Sequence, residues 1–217
     1  MEFVPFAEQT GSIRAVTLWV VEHAIEQCAN WRRAGLPMNV SINISARDLM
    51  DAELPMRFAS MLEQYDCRAQ WLSLEITESA IFDDPGHAIE NLQLLHSLGC
   101  RLAIDDYGTG YSSLAYLKRL PVNELKIDRS FVMGMVADAS DAVIVRSTID
   151  LAHNMGLSVV AEGVEDEATL RKLRELGCDM AQGYHLSRPL PPDDVARWMR
   201  TNAHVRSADA PELRRVV

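Results

Sequence analysis

The chain has 217 residues and a formal net charge of −10, with 48% apolar and 24% charged residues. That length suits one domain with a substantial core, and the balance is ordinary for a soluble globular protein. Its acidity argues against general binding of nucleic-acid polymers, because an acidic surface repels phosphodiesters unless cations or local basic groups intervene.

The opening Met-Glu-Phe-Val-Pro lacks the basic-then-apolar order of a secretory signal. The apolar stretch Ala15–Ile25 is broken by Glu22 and His23, so it does not span a bilayer, and a cytoplasmic location is expected. A helical apolar period covers Ala15–Arg33. The first strand is predicted at Met38–Ser45, where Asn39, Ser41, Asn43 and Ser45 share one face and Val40, Ile42 and Ile44 the other. Strands follow at Trp71–Thr77, Arg101–Asp106, Glu124–Asp128, Ser158–Glu162 and Asp179–Gln182. Helical patterns fall between and after them at Ala88–Leu98, Ala142–Met155, Ala168–Leu176 and Asp193–Met199.

This alternation predicts βα units and a parallel sheet. Three joints repeat one design, in which a helix runs into Gly99, Gly156 or Gly177 and then into a strand. Glycine suits the residue past a helix end, where the left-handed conformation is needed. Strands of an open doubly wound sheet are apolar on both faces. Here one face is small or polar in strand after strand, which predicts a βα barrel with a polar pocket at one end. Cys28, Cys67, Cys100 and Cys178 lie far apart without a C-x-x-C pair, so buried free thiols are expected rather than zinc ligands or disulfides.

Every predicted strand ends in a residue fit for metal or phosphate chemistry: Asn43, Glu75, Asp105 with Asp106, Lys126 with Asp128, Glu162, and Gln182. In βα barrels such ends converge on one pocket. Five carboxylates and one ammonium together require divalent cations to offset their charge. Oxygen donors without a strand-end histidine suit Mg²⁺ or Mn²⁺. Adjacent Asp105 and Asp106 point to opposite faces of an ideal strand, so both reach one pocket only if the strand ends between them. Gly108 and Gly110 directly after them suggest a flexible loop over the site.

The blocks FVPFAEQTGSI, SINISARDL, LEITES, LAIDDYGTGYSSLAYLKRLPVNELKIDRSFV, VVAEGVE and AQGYHLSRPLP occur in that order between Glu2 and Arg200. Together they resemble the signature blocks of the EAL-domain family of bacterial cyclic di-GMP phosphodiesterases. The resemblance implies a TIM-like barrel domain over residues 1–200 followed by a polar tail over 201–217. It implies metal-dependent hydrolysis of the second messenger cyclic di-GMP to pGpG. By motif, Asn43, Glu75 and Asp105 are similar to ligands of one Mg²⁺ or Mn²⁺. Asp105, Asp106 and Glu162 are similar to ligands of the second, with Asp105 bridging. Lys126 resembles the residue that orients the attacking water, and Asp128 and Gln182 line the same site. Glu78, four residues before Phe82, resembles the glutamate that holds the glycine loop. A homodimer through the loop and helix around Ser112–Leu120 is also implied. Tyr107 stands where many relatives carry Phe.

In the family two strands precede the FVPFAEQTG block, and the second carries the Glu-Ala-Leu signature. With six of the eight strands of a closed barrel, an N-terminally truncated barrel and an incomplete first metal site are expected. The alternatives are a non-catalytic module that binds cyclic di-GMP or a protein, a piece that folds only with a partner chain, and a different barrel chemistry that uses Lys126 for proton abstraction.

Overall fold

The computed structural model describes residues 12–82, 85–110, 114–201 and 214–216. The chain gathers into two compact units, Met1–Ile104 with Ser113–Val122 and Asp105–Ser112 with Asn123–Val217.

The first unit begins with helix α1 (Ile13–Arg33), whose Ile13, Thr17, Val21, Ile25 and Cys28 recur every three or four residues and are all buried. Strand β1 (Val40–Asn43) follows, then the short helix α2 (Ala46–Leu49) and helix α3 (Leu54–Gln64). The sequence patterns did not single out α3, although Pro55 near its start is a helix-initiation signal. It buries Leu54, Phe58 and Leu62. A 3-10 turn at Ala69–Trp71 leads into β2 (Leu72–Thr77), helix α4 (Glu78–Phe82) and helix α5 (Pro85–Ser97). Strands β1 and β2 pair in parallel, with Ser41 opposite Ser73 and Asn43 opposite Glu75. The expected two-faced pattern holds in β1, where Ile42 is buried while Ser41 and Asn43 are exposed. In β2 both faces are buried, including Ser73 and Glu75. The unit also contains the first residues of β3 (Arg101–Tyr107) and helix α6 (Leu114–Leu117).

The second unit takes the last residues of β3 and then builds repeated βα units. These are β4 (Glu124–Ile127), α7 (Arg129–Gly134) and α8 (Ala139–Asn154), then β5 (Ser158–Ala161) with α9 (Glu167–Glu175), then β6 (Met180–Gln182) with α10 (Pro192–Thr201). Helix starts follow local chemistry: Asp138 accepts a hydrogen bond from Ser140 N at 2.7 Å, and Asp166 one from Thr169 N at 2.8 Å. Val145, Ile149, Leu170 and Leu173 on these helices are buried, as are Leu125, Val159 and Ala181 on the strands. Strands β4, β5 and β6 pair in parallel. A seventh strand, β7 (Arg214–Val216), pairs in parallel with β6, Met180 opposite Arg214. No strand was expected there.

The glycine joints are confirmed, with φ of +101° at Gly99, +75° at Gly156 and +76° at Gly177. All four cysteines are free and buried, as expected. Among the described residues no helix is long and apolar enough to cross a membrane. Residues 3–11 of the first signature block, Tyr111 to Ser113 in the glycine loop, and residues 202–213 of the C-terminal stretch lie outside the described residues.

Candidate active site

In the second unit, the ends of β3, β4 and β5 bring charged groups together. Asp105, Asp106 and Glu162 each offer a carboxylate oxygen, and these oxygens lie within 4.8 Å of one another. Lys126, whose side chain is only 4% exposed, sits between two of them. Its Nζ is 2.9 Å from Asp105 Oδ1 and 2.7 Å from Glu162 Oε1. Glu162 follows β5 directly, and its amide donates to Ile127 O at 3.2 Å, which holds it beside the end of β4.

The paired aspartates reach one place by a different route from the one expected. Strand β3 does not stop between Asp105 and Asp106 but runs through to Tyr107. Asp106 instead adopts φ +53°, in the left-handed region. That rotation undoes the strand's alternation and lets neighbouring carboxylates converge. Aspartate tolerates this conformation better than most residues. Asp106 N donates to Asp105 Oδ1 at 3.1 Å, and Thr109 Oγ1 donates to Asp106 O at 2.9 Å, so the turn is locked on both sides. Gly108 has φ +99°, and a Cβ there would stand 3.3 Å from Phe131, so the loop keeps both its hand and its packing through glycine.

The charges do not balance evenly. Burial, then the neighbouring Asp105 and Asp128 carboxylates, raises the Asp106 carboxyl above its ordinary range. Burial also pushes Asp128 upward, but hydrogen bonds from the Ser130 side chain and backbone outweigh it and leave Asp128 below that range. Asp128 accepts from Ser130 N at 2.9 Å and also from Ser130 Oγ. It therefore caps α7 as well as facing Asp106. Ser130 was not among the expected site residues, although an aspartate two residues before a serine, ahead of an apolar run, is an N-cap signal.

Gln182 ends β6 and is half-buried; its carbonyl accepts from Val164 N at 3.0 Å. In the first unit, Asn43 and Glu75 are paired across β1 and β2, and Ile44 N donates to Glu75 O at 2.9 Å. Glu78 opens α4 and is buried, and neither of its carboxylate oxygens has a hydrogen-bond partner among the described residues.

A donor set of three clustered carboxylates fits a hard divalent cation.

Comparison with known proteins is consistent with this geometry. The EAL domain family model matches residues 1–189, and the chain belongs to that family. It has the α/β, TIM-like barrel fold class expected from its sequence. It is 41% identical to the cyclic di-GMP phosphodiesterase NbdA of Pseudomonas aeruginosa, over 98% of this chain and 27% of that protein. A solved structure described as the PaMucR phosphodiesterase in complex with c-di-GMP superposes with a TM-score of 0.86 at 40% identity, over 89% of this chain and 79% of that one. The EAL domain of Mycobacterium smegmatis DcpA matches with a TM-score of 0.83 at 37% identity, over 87% and 85% of the two chains. The chain spans 25% to 34% of the length of the curated relatives it matches.

Proposed function

We propose that this chain is a phosphodiesterase domain that hydrolyses cyclic di-GMP to pGpG with Mg²⁺ or Mn²⁺, in the cytoplasm and as a homodimer. The observation that carries the reading is the carboxylate group Asp105, Asp106 and Glu162 with buried Lys126 among them. It is supported by relatives and solved structures whose names give that activity or that nucleotide.

In this reading Asp105, Asp106 and Glu162 hold the cation. A cation held there would lower the pKa of an attacking water and offset charge on the phosphoryl oxygens. Lys126, held by two ion pairs, places its positive charge beside that water and the scissile phosphate. Asp128 and Gln182 contact substrate. The roles of Asn43 and Glu75 as ligands, and of Glu78 as the support of the glycine loop, rest on motif resemblance.

The test is turnover of cyclic di-GMP by the purified chain in Mn²⁺, followed by chromatography of the linear product. Asp105→Asn should lower turnover on the order of 10³-fold or more with an unchanged circular dichroism spectrum. Equal rates for the two chains would end the assignment. Calorimetric binding of cyclic di-GMP in Ca²⁺, with no turnover in Mn²⁺, would make the domain a binding module instead.

A further inference from the structure

One short segment of the second unit, Glu162–Val164, is fastened to the ends of its neighbours through its backbone. Glu162 N donates to Ile127 O at the end of β4, at 3.2 Å. Val164 is wholly buried and turns both of its backbone groups toward the end of β6. Its N donates to Gln182 O, and its O accepts from His185 N, each at 3.0 Å. The turn after β6 is itself closed, because Gly183 O accepts from Leu186 N at 3.0 Å and from Ser187 N at 3.2 Å.

Two glycines make this fit possible. Gly163 has φ +69°, and a Cβ there would stand 2.6 Å from Arg129 Cβ and 3.2 Å from Arg129 Cα, in the first turn of α7. A Cβ on Gly183 would stand 2.7 Å from Val164 C and closer still to Val164 N and O. These obstacles are backbone and Cβ atoms, which cannot swing aside as the tip of a long side chain can. Gly156 and Gly177 in the same unit also have positive φ, yet a Cβ on either meets nothing within 4 Å. The hand of the chain alone asks for glycine at those two. At Gly163 and Gly183 the lack of room asks for it.

We propose that Gly163 and Gly183 are positioning residues for the cation, given the reading of Asp105, Asp106 and Glu162 as the cation site of a phosphodiesterase. They let Glu162–Val164 lie flush against α7 and the β6 turn, which holds the Glu162 carboxylate in the cluster and ties it to Gln182. Neither glycine has a side chain to touch cation or nucleotide, so the effect runs through the backbone. An added Cβ at either position must push the segment off its neighbour, and Glu162 is part of that segment. The three carboxylate oxygens lie within 4.8 Å of one another, and Lys126 Nζ is 2.7 Å from Glu162 Oε1. Mg²⁺ demands near-ideal ligand geometry, so a displaced carboxylate weakens its binding.

The experiment measures Mn²⁺ binding by calorimetry, without nucleotide, in Gly163→Ala, Gly183→Ala and Gly156→Ala chains. The first two should bind roughly 10- to 100-fold more weakly than wild type, as when a group that orients a metal ligand is lost. Gly156→Ala carries a comparable left-handed strain in open space, so it should melt lower yet bind Mn²⁺ as wild type does. In the unaltered chain, saturating Mg²⁺ should slow amide hydrogen exchange at Val164 and His185 more than at Gly156 and Gly177. Folded Gly163→Ala and Gly183→Ala chains that lose no more affinity than Gly156→Ala would overturn the proposal. So would exchange at Val164 and His185 that is indifferent to Mg²⁺, a result that holds even if the variants do not fold. A wild-type chain that takes up no divalent cation would overturn the phosphodiesterase reading itself, and this proposal with it.

Discussion

The two units bury carboxylates in opposite ways. In the second, Asp105 and Glu162 share the ammonium of Lys126 at 2.9 and 2.7 Å, and Asp128 is held by Ser130. In the first, Glu78 is buried with neither oxygen hydrogen-bonded to a described residue. A compensated cluster is poised for use at once. An uncompensated carboxylate costs stability, and a chain that keeps one keeps it for something other than stability.

That contrast is exposed to tests of decreasing size. Lys126→Met removes the compensation and leaves the carboxylates crowded, so the metal-free chain should lose about 3–5 kcal/mol in chemical denaturation. Added Mn²⁺ should restore part of the loss. A chain that melts like the wild type without metal would show that Lys126 is not what balances the cluster. Glu78→Met should go the other way, because replacing an unsatisfied buried carboxylate with an apolar group of similar reach stabilises by about 1–3 kcal/mol. Turnover of cyclic di-GMP should fall in the same variant. A less stable chain would mean that Glu78 has a partner in the native state.

A smaller effect separates ordinary helix capping from the site. Hydrogen bonds from the Thr169 backbone and side chain hold the Asp166 carboxyl below its ordinary range. A depressed folded pKa contributes stability above the unfolded value, and that contribution is lost as pH falls through the folded one. Asp166→Ala should therefore cost about 1 kcal/mol at neutral pH, and the gap to wild type should close in acid, below the carboxylate range. A gap that persists in acid would assign the effect to packing.

Much of this architecture was legible in the residues. The predicted first strand brackets Val40–Asn43, and the predicted long helix over Ala142–Met155 falls within one residue of Ala139–Asn154 at its end. Periodicity over many residues outweighs local noise, and glycine joints mark where helices stop. Glu78–Phe82 and Arg129–Gly134 were missed because such short helices complete barely more than one turn, and only packing decides them. At the site, the strand-end rule found Asp105, Lys126 and Glu162, because alternation carries side chains to predictable ends. It also named Asp106, but by the wrong route: a single backbone rotation, not a strand end, brings that carboxylate round, and nothing in an Asp-Asp pair announces the sign of φ.

The handedness of Asp106 also has an evolutionary consequence. Asparagine and glycine are the residues most at ease in that conformation, and asparagine is one base change from aspartate. A lineage can therefore lose the Asp106 carboxylate while the turn and its neighbours stay folded. The negative charge gathered at the ends of β3 and β5 is therefore one base change away from being reduced, at little cost to the fold.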